Sequence, residues 1–351
     1  MTSTTTTGTA AASAHPRGIT MNATDHPIFI PDGYQINTHP TEELANFIRM
    51  SISEGRHGCS AYGGGGVGKT SALKYLSDNS SKWLKDSRGQ PMGVAMRMVM
   101  ASGIRRSDGA FWSAINNRIG ISNAKVIKAS VGMDRVLNLI RSRCGQAKVR
   151  RLVLFIDNAQ RITESEYEYL EDLDSQVLDD NLSLYLVLMR QSDAEGVDVG
   201  DDWSDRASHT VRRWFIDTMR YRPITGAAEV THALSRFDSQ ASWPTPEMPF
   251  SRFFAASAFD AGWRLADQAP MILQELAALR KAGKLPESEA WPMATFTLTV
   301  RHLLTEIAWK HEGFREFSRE QVRDALLRSG YLRLEYVRAK MRLPDYGQGA
   351  A

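Results

Sequence analysis

Residues 61–76 read AYGGGGVGKTSALKYL. Gly63, four residues and then Gly68-Lys69-Thr70 have the spacing of a loop that wraps the phosphates of a nucleotide. Gly63, Gly64, Gly65, Gly66 and Gly68, with Val67 among them, let backbone N–H groups converge on a β-phosphate without side-chain clash. The helix that opens at Lys69-Thr70-Ser71 adds the positive end of its dipole. Lys69 places a point charge on the β- and γ-phosphates, and Thr70 is a magnesium ligand. The flanks agree, because a short strand through HGCSAY leads into the glycines and SALKYLSDNSSKWL continues as a helix. ATP and Mg2+ are the expected cofactors.

Further along, RRLVLFIDNAQ is an apolar run that ends in Asp157. Continuous apolarity is the pattern of a central parallel strand, covered on both faces. A buried acid at its end is costly alone, and holding the water shell of a magnesium ion offsets that cost. Asn158 follows. Its amide cannot accept a proton, although its carbonyl can orient water as a glutamine does in GTPases. Tight ATP binding with weak hydrolysis is therefore expected. The next buried run, LSLYLVLM, leads to Gln191, placed to touch a γ-phosphate. One helix later, Arg212 and Arg213 in HTVRRWFIDTMRYRPI are candidate arginine fingers for the nucleotide of a neighbouring subunit. Arg206 is a further finger candidate, and Arg264 in the helical region is a candidate phosphate contact from the lid side; surface solvation is the alternative for the first three and a salt bridge to a neighbouring acid for Arg264.

Around these motifs strands and helices alternate. GVAMRMVMAS sets Val94, Met96, Met98 and Met100 against Ala95, Arg97 and Val99 with a period of two. HPTEELANFIRMSISEG reads as a helix with Leu44, Phe47, Ile48 and Ile52 on one face, and Thr163 with Glu166 forms a capping box. The expected fold is an α/β parallel sheet flanked by helices, followed by a small helical lid. Its divisions are a Ser/Thr/Ala-rich disordered tail at 1–27, a nucleotide-binding domain at 28–225, a helical lid at 226–330 and a basic C-terminal tail at 331–351. Cys59 and Cys144 have no metal-ligand spacing and suggest no disulfide framework. No apolar run reaches about 18 residues and no signal peptide is evident, so a cytoplasmic protein with no membrane partner is expected.

The 351 residues carry a formal net charge of only +3, which hides an asymmetry. Residues 97–151 hold twelve Lys/Arg and two acids, whereas residues 157–205 hold fifteen Asp/Glu and two Arg. The basic block includes Arg105, Arg106, Lys125, Lys128, Arg141 and Arg143, suited to phosphate-backbone contact. Arg315, Arg319 and Arg323 are spaced by four, as on one helix face. A basic face of one copy against the acidic face of the next would build rings or filaments head to tail.

Together GGGGVGKT, LVLFIDNAQ, a strand ending in a polar residue, an arginine-bearing helix and a helical lid resemble an AAA+ ATPase. More narrowly, the chain is similar to the TnsC/TniB transposition regulators, relatives of MuB, in which DEAQ often stands where this chain has DNAQ. The resemblance implies a P-loop AAA+ fold and an ATP-dependent homo-oligomer, ring or filament, on duplex DNA. It also implies contacts with a transposase and a target-selector protein, Asp157 as the magnesium residue, Gln191 as the sensor, and DNA contacts in the region of Arg105, Arg106, Lys125 and Lys128. Asn158 departs from the family's glutamate, which leaves ATP-driven assembly expected and hydrolysis-driven disassembly open. The competing expectation is a signalling or antiphage P-loop NTPase that oligomerises with ATP without DNA. A small-molecule kinase is disfavoured by the helical lid and the lack of an evident phosphoacceptor pocket.

Overall fold

Alternation along the strands decides which helices each face receives. In the computed structural model, which describes residues 23–103, 105, 107–121, 126–192 and 207–342, five strands form one parallel sheet. These are β1 (Gly58–Gly63), β2 (Val94–Val99), β3 (Arg151–Asp157), β4 (Ser183–Gln191) and β5 (Thr218–Arg220), in the spatial order β2-β3-β4-β1-β5. The helices of this half are α1 (His39–Ser53), α2 (Lys69–Asp78), α3 (Ser80–Trp83), α4 (Asp108–Arg118), α5 (Ala129–Ala147), α6 (Glu164–Asp179) and α7 (Ser208–Trp214). Met98, Leu152, Leu154 and Ile156 pack against Phe111, Trp112, Val136, Ile140 and Leu170 of α4, α5 and α6. Val153, Phe155, Tyr185 and Val187 pack on the other face against Leu44, Ile48, Leu73 and Leu76 of α1 and α2. Each large apolar side chain so buried contributes roughly 1.5–3 kcal/mol relative to exposure.

The local signals explain the element ends. α1 opens with Pro40 in its first turn, where the missing N–H costs nothing, and the chain leaves it through Gly55 at φ 76°. α6 carries the expected Thr163–Glu166 capping box. β5 is a strand that the sequence reading passed over, since three residues carry too little periodicity to register.

The second half is helical, as expected, but not entirely. Ile224–Thr225 (β6) pairs antiparallel with Ala290–Trp291 (β7). Between and after them come α8 (Gly226–Ser239), α9 (Phe250–Phe254), α10 (Ala256–Asp260), α11 (Ala269–Ala282), α12 (Met293–His302, continuing π-helical to Ala308), α13 (Arg319–Arg328) and α14 (Tyr331–Arg342). This core of Phe237, Phe250, Phe296, Leu304 and Leu326 also takes in Ile28 and Ile36. The segment assigned to the nucleotide domain from residue 28 thus begins by packing into the lid. The packing includes a residue of the expected tail: His26 is fully buried among the rings of Phe29, Trp243, Phe250, Phe253 and Phe254.

The expected tail at 331–351 is corrected in the same way. Its first twelve residues are α14, with Tyr331 and Glu335 buried and Glu335 ion-paired to Arg280 of α11. Residues 1–22 and 343–351 lie outside the described residues. Arg315 is not on a helix with Arg319 and Arg323, because Ser318 caps α13 and Arg315 precedes the cap.

Candidate nucleotide site

The strand order assembles the site. β4 lies between β1 and β3, and the register sets Gly63 level with Gln191 and Asp157 level with Met189. The P-loop, the acid and the polar strand end therefore converge at the carboxyl end of the sheet, where open α/β folds place their ligands. Thr70 donates from Oγ1 to Asp157 Oδ2 at 2.7 Å. Asp157 is 3% exposed, and its Oδ1 accepts from the Asn158 backbone N–H at 3.0 Å. Lys69 Nζ donates to the carbonyls of Gly63 and Gly64, both at 2.6 Å. The lysine is folded back onto its own loop, and phosphate oxygens are the acceptors that would draw it out.

A cleft of about 390 Å³ runs along the loop, within the range of small-ligand sites. Gly65, Gly66, Val67, Gly68, Lys69, Thr70 and Ser71 line it, with Asp157, Asn158 and Gln191. Gly63 and Gly64 are not on its wall; their carbonyls hold Lys69. The opposite wall comes from Tyr34, Ile36 and Thr38 before α1 and from Met293, Ala294 and Thr297 of α12. The lid touches the loop directly, since Ala294 N–H donates to the Gly66 carbonyl at 2.9 Å. Gly68, at φ 103°, is irreplaceable for two reasons: L side chains rarely adopt that backbone, and a Cβ there would come within 2.8 Å of Met293.

Magnesium fits the residues present. The Thr70 hydroxyl and the Asp157 carboxylate are hard oxygen donors held within hydrogen-bond reach of each other, the donor type this ion requires. Asn158 has a local reason to be asparagine. Its φ and ψ of 58° and 38° are left-handed, a conformation that asparagine tolerates better than glutamate.

The arginines divide. Arg212 and Arg213 end α7 beside Arg56 and His57, just ahead of β1 and β5. That is the end of the sheet opposite the P-loop, so neither side chain reaches this chain's own cleft. Arg213 Nη1 is 2.8 Å from Asp174 Oδ2, which His57 Nδ1 also approaches at 2.9 Å. Burial pushes the Asp174 carboxyl above its ordinary range, and His57 and Arg213 oppose that shift. Arg212 is exposed. Arg264 stacks on Phe259 with its guanidinium 3.8 Å from the ring centroid and donates to the Phe259 and Trp263 carbonyls, away from the cleft.

Among the basic candidates, Arg105 is consumed by the fold. It forms a two-pronged ion pair with Glu166, one arm at 2.7 Å, and donates to the Ala101 and Arg161 carbonyls. Burial raises the Glu166 carboxyl, but these bonds outweigh it and hold the group below its usual range. Arg105 is therefore withdrawn as a DNA contact. Lys128 is exposed ahead of α5, and Arg141 pairs with Asp180. Arg106, Lys125 and Arg206 lie outside the described residues.

One residue near the acid was missed. Arg97 of β2 brings Nη1 to 3.8 Å from Asp157 Oδ2. The alternation of β2 placed it on the face of Ala95 and Val99; an arginine inside an otherwise apolar strand was the available signal. A separate cluster of His39, Glu42 and His232 is compact enough for a metal, but Arg236 donates to His232 Nε2 at 2.8 Å, so a guanidinium already holds that position.

No family model matches the chain, and no curated protein matches it. Solved structures do. The Aeropyrum pernix ORC1 protein in complex with DNA aligns over 88% of this chain and 69% of its own, at 14% identity and a TM-score of 0.43. Drosophila ORC bound to DNA aligns over 88% and 73%, at 15% identity and 0.41. A Thermotoga maritima RuvB variant aligns over 85% and 70%, at 14% identity and 0.36.

Proposed function

We propose that the protein is an AAA+ ATPase that uses bound ATP as an assembly switch on duplex DNA, in the manner of a transposition regulator. The observation that carries the nucleotide half is the Thr70–Asp157 hydrogen bond at the mouth of a P-loop cleft. These two side chains come from α2 and β3, far apart in sequence, and they meet where the magnesium of a bound triphosphate belongs. When bound, that ion neutralises charge on the β- and γ-phosphates. The chain's own residues do the rest. Lys69 would exchange the loop carbonyls for phosphate oxygens, the N–H groups of residues 65–70 would be the donors for the phosphates, and Gln191 would supply a polar side chain on the cleft lining. Asn158 orients water without accepting its proton, so turnover is slow.

The assembly half is supported by the placement of α7. Arg212 is exposed at the end of the sheet remote from its own nucleotide, which suits a residue that completes the cleft of a neighbouring copy. Basic groups that remain exposed between β2 and β3, including Arg118, Lys128 and Arg143, are the surface offered to the phosphate backbone. A transposase and a target-selector protein are the partners this reading implies. The burial of Arg105 in the Glu166 pair favours a second reading, an ATP-driven protein assembly that does without DNA. Particle mass measured with ATP, with and without duplex DNA at low salt, separates them. ATP-dependent growth only when DNA is present supports the first reading. Equal growth without DNA supports the second.

A further inference from the structure

The Asp157 carboxylate is approached from three sides. Thr70 Oγ1 and the Asn158 N–H donate to its two oxygens, and Arg97 Nη1 lies 3.8 Å from the same oxygen that Thr70 engages. Arg97 stands level with Phe155 in the β2–β3 register, and Asp157 is two residues beyond Phe155. Both side chains therefore leave the sheet on the face covered by α2. β2 is an edge strand beside β3, and Arg97 is not among the residues that line the cleft. Its Nη1 is buried and has no hydrogen-bond partner. A buried donor without an acceptor is destabilising, and a guanidinium is a fixed positive charge.

We propose that Arg97 is a positioning residue: a built-in counter-charge to Asp157 that lets the site bind metal-free nucleotide and lessens the advantage that magnesium confers. The inference rests on the nucleotide reading of the cleft. Its physics has two parts with the same sign. Without metal, the Asp157 side chain repels the γ-phosphate, and the fixed charge of Arg97 cancels much of that repulsion. With metal, the same charge repels the incoming dication. Removing Arg97 weakens metal-free binding and strengthens metal-bound binding, so the ratio between the two must rise. A purely structural role for Arg97 would shift both affinities together and leave the ratio unchanged.

The test measures the dissociation constant of β,γ-imido-ATP in EDTA and in saturating magnesium, by calorimetry, for the wild type, Arg97→Met and Arg97→Lys. The ratio of the EDTA value to the magnesium value is expected to rise at least ten-fold in Arg97→Met and to stay within about three-fold of wild type in Arg97→Lys. Circular dichroism checks the fold, and Arg97→Gln replaces the methionine variant if that one does not fold. A ratio that is unchanged or smaller in the folded uncharged variant overturns the proposal. Wild-type protein that binds the nucleotide under neither condition overturns the nucleotide reading itself.

Discussion

Asn158 joins backbone to chemistry in a single residue. Its left-handed conformation penalises most side chains by about 1–2 kcal/mol, and its amide leaves the site without a base beside Asp157. Asn158→Glu supplies that base. It is expected to raise ATP turnover at least ten-fold while lowering unfolding stability by about 1 kcal/mol; a turnover assay and a denaturant titration measure the two. Unchanged turnover in a folded variant would show that the missing base is not what limits the reaction. At this scale much of the site was legible. The P-loop spacing and the acid ending LVLFID need only local pattern, and the structure brings Thr70 to Asp157 as those patterns require. Arg97 and Arg105 were not legible in the same way. Which acid an arginine meets depends on strand register and on a helix sixty residues away, and neither shows in a local window.

Elements were read well where their period was long and poorly where it was short or masked. β3, β4 and α1 announce themselves. β5, β6 and β7 are two or three residues each, too short for any period. In the sequence α14 reads as a basic tail because Arg333, Arg338, Lys340 and Arg342 fall within its twelve residues. It docks through Tyr331 and Leu332, which pack into the lid core, and through a buried polar contact. Arg280 of α11 donates to Glu335 Oε2 at 2.5 Å and to the Tyr331 hydroxyl at 2.8 Å, with both ionic side chains nearly inaccessible. Burial lowers the Arg280 pKa, but the bonds to Glu335 and Tyr331 outweigh it and hold the group above its ordinary value. Arg280→Ala removes one of the two arginines that hold the buried Glu335 and leaves Arg338, at 3.1 Å, as its remaining partner, so a loss of about 3 kcal/mol, the low end for a broken buried pair, is expected in a chemical denaturation experiment. Replacing both partners with apolar residues should recover much of that loss. Full stability in the single variant would show that α14 is not docked through this pair.

In the whole molecule the sheet, with a core on each face, meets the core of the helical half at the P-loop cleft. The segment before α1 packs into the lid, α12 bonds to the P-loop, and the cleft lies between them. His26 makes this architecture sensitive to acid. Buried among five aromatic rings, its imidazole is held down to about 4, whereas an unfolded histidine takes its proton near 6.5. Its neutral form therefore contributes fully above pH 6.5, and that stability is lost as pH falls towards 4. Between pH 7 and 4.5 the loss is roughly 2–3 kcal/mol, and thermal melts of the wild type against His26→Phe should show it as a steeper acid slope in the wild type. The parallel sheet and helical lid were visible in the alternation of patterns; that the N-terminal segment belongs to the lid was not, because Ile28 and Ile36 give no sign of which core they enter. The account as a whole stands on ATP acting as the switch for assembly. Lys69→Ala removes the charge that grips the phosphates while leaving every core residue in place. Mass photometry of wild type and Lys69→Ala with ATP and duplex DNA is the direct test. The account predicts large DNA-bound particles for the wild type and monomers for the folded variant, and particles of equal mass in both would contradict it.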